Sequence, residues 1–507
     1  MIPFGPWHPD KIAANAPIVV EATNVLPAVN GFKPLPSLAP VTDALAGECL
    51  GGATVYDDDG DVFVFAGDET DLYKLSAAST WENVTRISSE ALLDDSAVQL
   101  QDDSGNLITV ESENNYSTGS GERWQFAASG ALVIGVNIGD DPQKFLLNSS
   151  SKFSALGGSP PQARYIAVVR DFVMLGGLDG DERTVHWSGL ANAEHWTPGT
   201  QSCDTQTFQN GGPVRGLLGG EVGYVFQASA IKRMNYAPGS PTIFDIDEVE
   251  DAAGLQAPYS LVRVRRMAFY RSADGFFRFS LAGAGSEPIG VGKWARWVEN
   301  DIKPGTEQLI VGGVSPSQRF VIWSYTSRDN TAATLNRSLI YDWAIEEATI
   351  VDVPIQALMS TLTTGVTLDD LDSFGTIDAL PFSLDSPVWR GGAALLGVFG
   401  ANSRLSYFAG PNMAARITTA DGYASQRALI KGTRPMVDTT AATVAISGRE
   451  ADGNTIAFAN AEAMEDTGIV PAHVSGNMIR ARLEIPTGAT WEQVTGLQTL
   501  IGKRGKR

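Results

Sequence analysis

At 507 residues with a formal net charge of −21, the chain is long enough for two or three domains, and too acidic to grip nucleic acid by its phosphates. Its 53 Gly and 26 Pro suit a turn-dense all-β chain better than a helical one, and 43% hydrophobic residues suffice for a globular interior. Two cysteines, Cys49 and Cys203, lie far apart without Cys or His neighbours at metal-ligand spacing, which argues against zinc and for two buried free thiols in a reducing compartment.

The N-terminus has no basic segment leading into a long apolar run, so no signal peptide is expected, and no stretch approaches the ~18 consecutive apolar residues of a membrane span. Residues 1–40 are dense in proline, including Pro3, Pro6, Pro9, Pro27 and Pro36, and cannot hold a helix for long. They are expected to form an extended arm, with a short strand and turn over residues 24–36. Phe4, Trp7 and Phe32 argue against a disordered tail.

The next segment, residues 53–76, sets a pattern: short β-branched and aromatic runs separated by Gly and Asp, which predict a β-meander. Residues 57–61 read as a charged hairpin turn and not as a calcium loop, because the acids are consecutive instead of alternating. Residues 99–121 are polar and rich in Gly and Ser, and predict a surface excursion. The meander returns at residues 123–147.

It is clearest at 163–199. Runs at Tyr165 to Val169, Phe172 to Leu175 and Thr184 to Ser188 are separated by Arg170-Asp171 and by a turn predicted over Gly176-Gly177 and Asp179-Gly180-Asp181. Further copies lie at 214–236, 260–280, 318–344 and 393–419. The spacing of roughly 40–60 residues is that of a four-stranded blade. A single meander cannot bury both faces, whereas several stacked around an axis can. The expectation is an all-β chain: an irregular β-propeller of six or seven blades over residues 41–423, with insertions and a connector. The acidic run at 245–251 predicts a solvated loop, and residues 357–385 a connector laid over the propeller.

Beyond about residue 424 the runs at 427–431, 442–447, 478–485 and 494–501 predict a separate small β-sandwich. Gly476 and Gly488 are placed in turns, Pro471 in a loop, and residues 503–507 in a basic tail.

Chemistry is sparse. Ser272 to Phe276 lacks the spacing of a sialidase Asp-box, and no Gly-x-Ser-x-Gly, Walker loop or His-Glu-x-x-His occurs. His186-Trp187 and His195-Trp196 read as stacked structural residues at a blade corner. No catalytic, metal or cofactor-binding residue is assigned, and no cofactor is expected.

Several strings, read in order, resemble the tail hub or nozzle proteins of short-tailed bacteriophages, also called tail tubular protein B. They run from Phe4-Gly5-Pro6 through Asn24 to Pro27 and Gly31 to Pro36. Trp187-Ser188 with Glu194 to Gly199, Gly219-Gly220-Glu221, Ile231 to Met234, Gly254 and Ala257 to Ser260 follow. Asp274-Gly275-Phe276, Pro288-Ile289-Gly290, Ser447-Gly448-Arg449 and Trp491 complete the series. The resemblance implies a non-enzymatic virion protein, assembled in the host bacterial cytoplasm. It would form a homo-hexameric ring in the tail, against an adaptor or proximal tail ring and a tail fibre or needle. Genomic DNA would pass through the ring without sequence-specific binding. The charge adds an expectation: a free subunit repels its copies, and residues 1–40 and 503–507 bridge neighbours on a partner ring. The alternative is a β-propeller glycan-active enzyme, or a carbohydrate- or protein-binding module.

Overall fold

The computed structural model describes residues 2–11, 16–91, 109–362 and 394–502, apart from residues 58, 78, 241, 284, 316, 333 and 452. All seven predicted meanders form four-stranded antiparallel blades. Six are separate sheets, comprising residues 51–83, 125–155, 163–207, 214–250, 262–288, and 355–412 with an added N-terminal strand. The other, residues 311–351, opens a larger sheet. In chain order, and ending with 355–412, they are blades 1 to 7.

The first strand of each blade lies on the axis beside the first strands of its neighbours. Between blades 4 and 5 the short Pro258–Ser260 turn fills the ring. The fold is therefore a β-propeller.

The ring is closed by the N-terminal half of the chain. Strand Pro36–Ala44 forms the outer edge of blade 7, with Phe408 opposite Leu38 and Ser406 opposite Pro40. An outer strand supplied from the far end of the sequence locks the circle, because blade 7 cannot be completed without it.

The preceding residues lie extended across other structure, with the expected short strand and turn over 24–36, but they are built into its sheets. Ile2–Pro3 pairs with Val494–Gly502, and the hairpin of Val25–Pro27 and Phe32–Pro34 also meets that strand. Val19–Thr23 lies between the outer strand of blade 6 and Ala415–Thr419, parallel to the first at Thr23–Ile350 and antiparallel to the second. This welds the propeller to the C-terminal β-sandwich. The expected boundaries at residues 40 and 424 accordingly fall inside strands Pro36–Ala44 and Gly422–Val437. The reason is packing: Phe4, Trp7 and Phe32 are each at most 2% exposed, in one core with Trp323 and Tyr341 of blade 6 and Leu483 and Trp491 of the sandwich. Burying each such side chain is worth ~1.5–3 kcal/mol.

The sandwich is built on two long strands, Gly422–Val437 and Val470–Ile485, each of 16 residues. Gly476 and Pro471, expected in a turn and a loop, lie within the second, opposite Ala428 and Gly432. A Cβ on Gly476 would sit 2.7 Å from the Arg449 nitrogen, so close strand approach explains the glycine and no turn is involved.

Two other expectations change. Gly176-Gly177 does not turn but lies inside strand Phe172–Leu178, where the register slips in a bulge. The acidic run is not a loop: Phe244–Glu250 is the outer strand of blade 4. Its charge is offset across the strand pair, where Lys232 meets Glu248, and Arg233 meets Asp247 at 2.8 Å.

The predicted excursion is partly a two-stranded ribbon, Ile87–Ala91 with Thr109–Glu113; residues 99–108 lie outside the described residues. Of the expected connector, residues 357–362 belong instead to Ile355–Leu362, the inner strand of blade 7, and the rest, like the basic tail 503–507, lies outside the described residues. Among the described residues, Ala295–Asp301 is the single α-helix, and no helix is long and apolar enough to cross a membrane.

Candidate functional site on the propeller axis

Seven first strands converging on one axis leave a space that their side chains must fill or line. Two cavities lie there, of about 250 Å³ and 180 Å³, sharing Pro258 and Tyr259 as a wall. Most of their residues come from the inner strands and the segments that lead into them.

The larger cavity is lined by the apolar side chains of Leu50, Phe126, Leu217, Leu261, Val311 and Leu358, set among glycine backbone and polar groups that make up more than half of its surface. Arg123 is the one charged side chain among its lining residues. It stands just before the inner strand of blade 2, and its Nη1 donates across the axis to the Gln356 carbonyl of blade 7 at 2.8 Å. The guanidinium lies 5.9 Å from the centre of the Tyr259 ring, a cation–π arrangement. Burial pulls the Arg123 pKa below its ordinary value, because a guanidinium in this wall is poorly solvated. The Arg123 backbone N–H donates to Tyr259 Oη at 3.2 Å, and that hydroxyl donates to Glu122 at 3.2 Å. Burial first, and then the Glu122 charge, raise the Tyr259 pKa, so the phenol remains a neutral donor.

The smaller cavity carries more charged side chains. Arg164 bridges Glu122 at 3.0 Å and Glu182 at 2.8 Å, while Arg215 donates to the Gln256 carbonyl at 2.7 Å. Glu122 and Glu182 balance Arg164 and Arg215 over the cavity as a whole, and Arg215 repeats the Arg123 arrangement one wall away.

The residues weighed from sequence lie elsewhere. His186 stacks edge to face on Trp196, with ring centres 5.2 Å apart, and Cys203 Sγ lies 3.6 Å from its Nε2. Burial lowers the His186 pKa. His195 Nε2 meets Thr200 Oγ1 at 2.6 Å, and Trp187 Nε1 donates to the Ser202 carbonyl. These contacts brace the corner of blade 3. Asp57 Oδ1 accepts from the backbone of Asp59 and Asp61, as a hairpin turn requires; Asp58 lies outside the described residues.

Sequence reasoning missed Arg123 and Arg215. A signal was present: Arg164, Arg215 and Arg263 are each the second residue of the inner strands Ala163–Val169, Val214–Leu218 and Val262–Val264. Arg123 stands two residues before its own.

Fold and cavity together define a β-propeller with an axial pocket. No family model matches the chain, and no curated protein does. Among solved structures it is similar to the extracellular domain of BT4673 from B. thetaiotaomicron, at 10% identity over 86% of this chain and 47% of that one, with a TM-score of 0.40. It is also similar to the Neurospora crassa Pan2 WD40 domain, at 8% identity over 63% and 83% with a TM-score of 0.35. The N-terminal domain of Nup159 gives 10% identity over 76% and 97% with a TM-score of 0.36. At these scores the propeller rests on its own strand order.

Proposed function

We propose that the chain is a structural, non-enzymatic subunit of a bacteriophage tail, a hub or nozzle protein that forms a closed six-membered ring around the path of exiting DNA. The observation that carries this reading is the ordered series of strings, from Phe4-Gly5-Pro6 to Trp491, that resembles the tail tubular protein B family. Their positions in the fold support it. A Cβ on Gly219 would meet the Val168 carbonyl oxygen of blade 3 at 2.1 Å, and one on Gly254 the Ser229 nitrogen at 2.3 Å. Such glycines are demanded where chain segments meet, so the strings mark how this propeller is assembled and not an arbitrary composition.

Two further features suit a ring subunit. The N-terminal strands fasten propeller and sandwich together through a shared core, which would let each subunit present fixed faces to its neighbours. A net charge of −21 per chain makes a wall along which DNA slides instead of sticking. With strands at 2–3, 19–23, 25–27, 32–34 and 36–44 engaged in the chain's own sheets, ring contacts would come from folded faces and not from an N-terminal arm.

The reading is tested by quantifying the chain in nuclease-treated particles sedimented from the cells that produce it. Six copies per particle support the ring. A chain found wholly in the unsedimented fraction, with a glycosidase activity lost on replacing one carboxylate, would establish the propeller-enzyme alternative.

A further inference from the structure

We propose that the larger axial cavity is a binding site for a small organic carboxylate with an apolar body, held by Arg123. The inference is independent of the ring reading.

A half-buried guanidinium held among leucine side chains and backbone loses part of its hydration, and proteins normally return that loss with a carboxylate. Arg164, one wall away, has two. Arg123 has none within ion-pair distance among the described residues: Nη1 reaches the Gln356 carbonyl, and Nε and Nη2 have no protein acceptor. The ring of Tyr259 and the Gln356 carbonyl hold the group in place, so its remaining fork of donors is preorganised.

The rest of the lining selects the ligand. Leu217, Leu261, Val311 and Leu358 offer no hydrogen bonds and favour hydrocarbon. Bare phosphate or sulfate would leave those walls unused, and a neutral ligand would leave Arg123 unpaired. About 250 Å³ lies below the ~300–1,000 Å³ of drug-sized sites, which limits the guest to a fragment-sized acid. Glycines at 51, 52, 216 and 312 keep the inner strands thin at this level. A Cβ on Gly216 would come within 2.8 Å of Leu255, and one on Gly312 within 2.6 Å of Val262.

Hexanoate, hexan-1-ol and inorganic phosphate are the probes, titrated into the full chain by calorimetry and ligand-observed NMR. Hexanoate should bind saturably and about tenfold or more tighter than hexan-1-ol, the worth of one charge-assisted hydrogen bond. Arg123→Met should abolish that preference, and Leu358→Trp should exclude both six-carbon probes. Equal affinity for acid and alcohol, no saturable binding of hexanoate, or phosphate binding as tight as hexanoate would each overturn the assignment. If Arg123→Met fails to fold, Arg123→Lys and the acid–alcohol comparison on the native chain decide. Loss of the preference in a folded Arg123→Lys supports a guanidinium fork, retention supports a charge site, and absence of any preference in the native chain refutes both.

Discussion

His8 Nε2 lies 2.8 Å from Glu347 Oε2, joining two residues 339 positions apart. His8 belongs to the N-terminal segment and Glu347 opens the outer strand of blade 6. Lys293 donates to the other Glu347 oxygen at 2.9 Å. One carboxylate thus fastens the chain's beginning to the propeller rim.

Burial pushes the Glu347 pKa up, but the hydrogen bonds from His8 and Lys293 outweigh it, and the carboxyl is held below its ordinary 4.5. A carboxyl with a depressed folded pKa contributes stability that is fully present above the unfolded value and is lost as pH falls through the folded one. Glu347→Gln should therefore cost ~2 kcal/mol at neutral pH, the scale of a charged hydrogen bond, with the difference from the native chain shrinking below pH 4.5. Urea midpoints at neutral and acid pH measure it; a difference that grows toward acid would reverse the sign.

The N-terminal segment is structural in the isolated chain. Trp7 is 1% exposed, stacks edge to face on Trp297 at 5.2 Å and donates to the Val20 carbonyl. Trp7→Ala should destabilise the purified chain by about 3–5 kcal/mol. A segment that ordered only on a partner chain would leave the urea midpoint unchanged.

Blade formation was legible in the sequence because each meander signals itself locally: apolar runs of Tyr165 to Val169 and Phe172 to Leu175 are separated by a polar corner. What joins the ends of the chain was not legible. The Thr23–Ile350 pairing is parallel and remote, and neither strand's side-chain pattern names its partner. The acidic strand Phe244–Glu250 reads as a loop until Lys232 and Arg233 are placed beside it. The axial site escaped for a related reason. Arg123 looks like a surface cation at a strand entry, and only closure of the ring brings it to face Tyr259 in the turn between blades 4 and 5.

The junction between blades 4 and 5 tolerates no side chain at Gly254, where a Cβ would lie 2.3 Å from the Ser229 nitrogen and 2.4 Å from the Ala228 carbonyl oxygen. Both are backbone atoms and cannot swing away. Gly254→Ala should cost about 1–3 kcal/mol or more. Gly453→Ala, which meets nothing within 4 Å, is the control and should cost less than about 1 kcal/mol by urea denaturation.

Both thiols should be inert in the folded protein. Cys49 and Cys203 are each 0% exposed, and burial pushes their pKa values up to about 12 and about 11. A maleimide at pH 8 should label neither within the time that labels two in denaturant. Rapid labelling of either native thiol would show that its blade opens.

The claim that this propeller builds a tail ring is tested most directly by electron cryomicroscopy of particles that contain the chain. The account predicts six copies in one closed ring. Its sixfold channel would run between subunits and not through the propeller axis, which Arg123, Tyr259 and their neighbours occupy. The −21 charge per subunit would be offset by buried contacts between folded faces. A chain seen as a solitary propeller, or in an assembly without a through-channel, would contradict it.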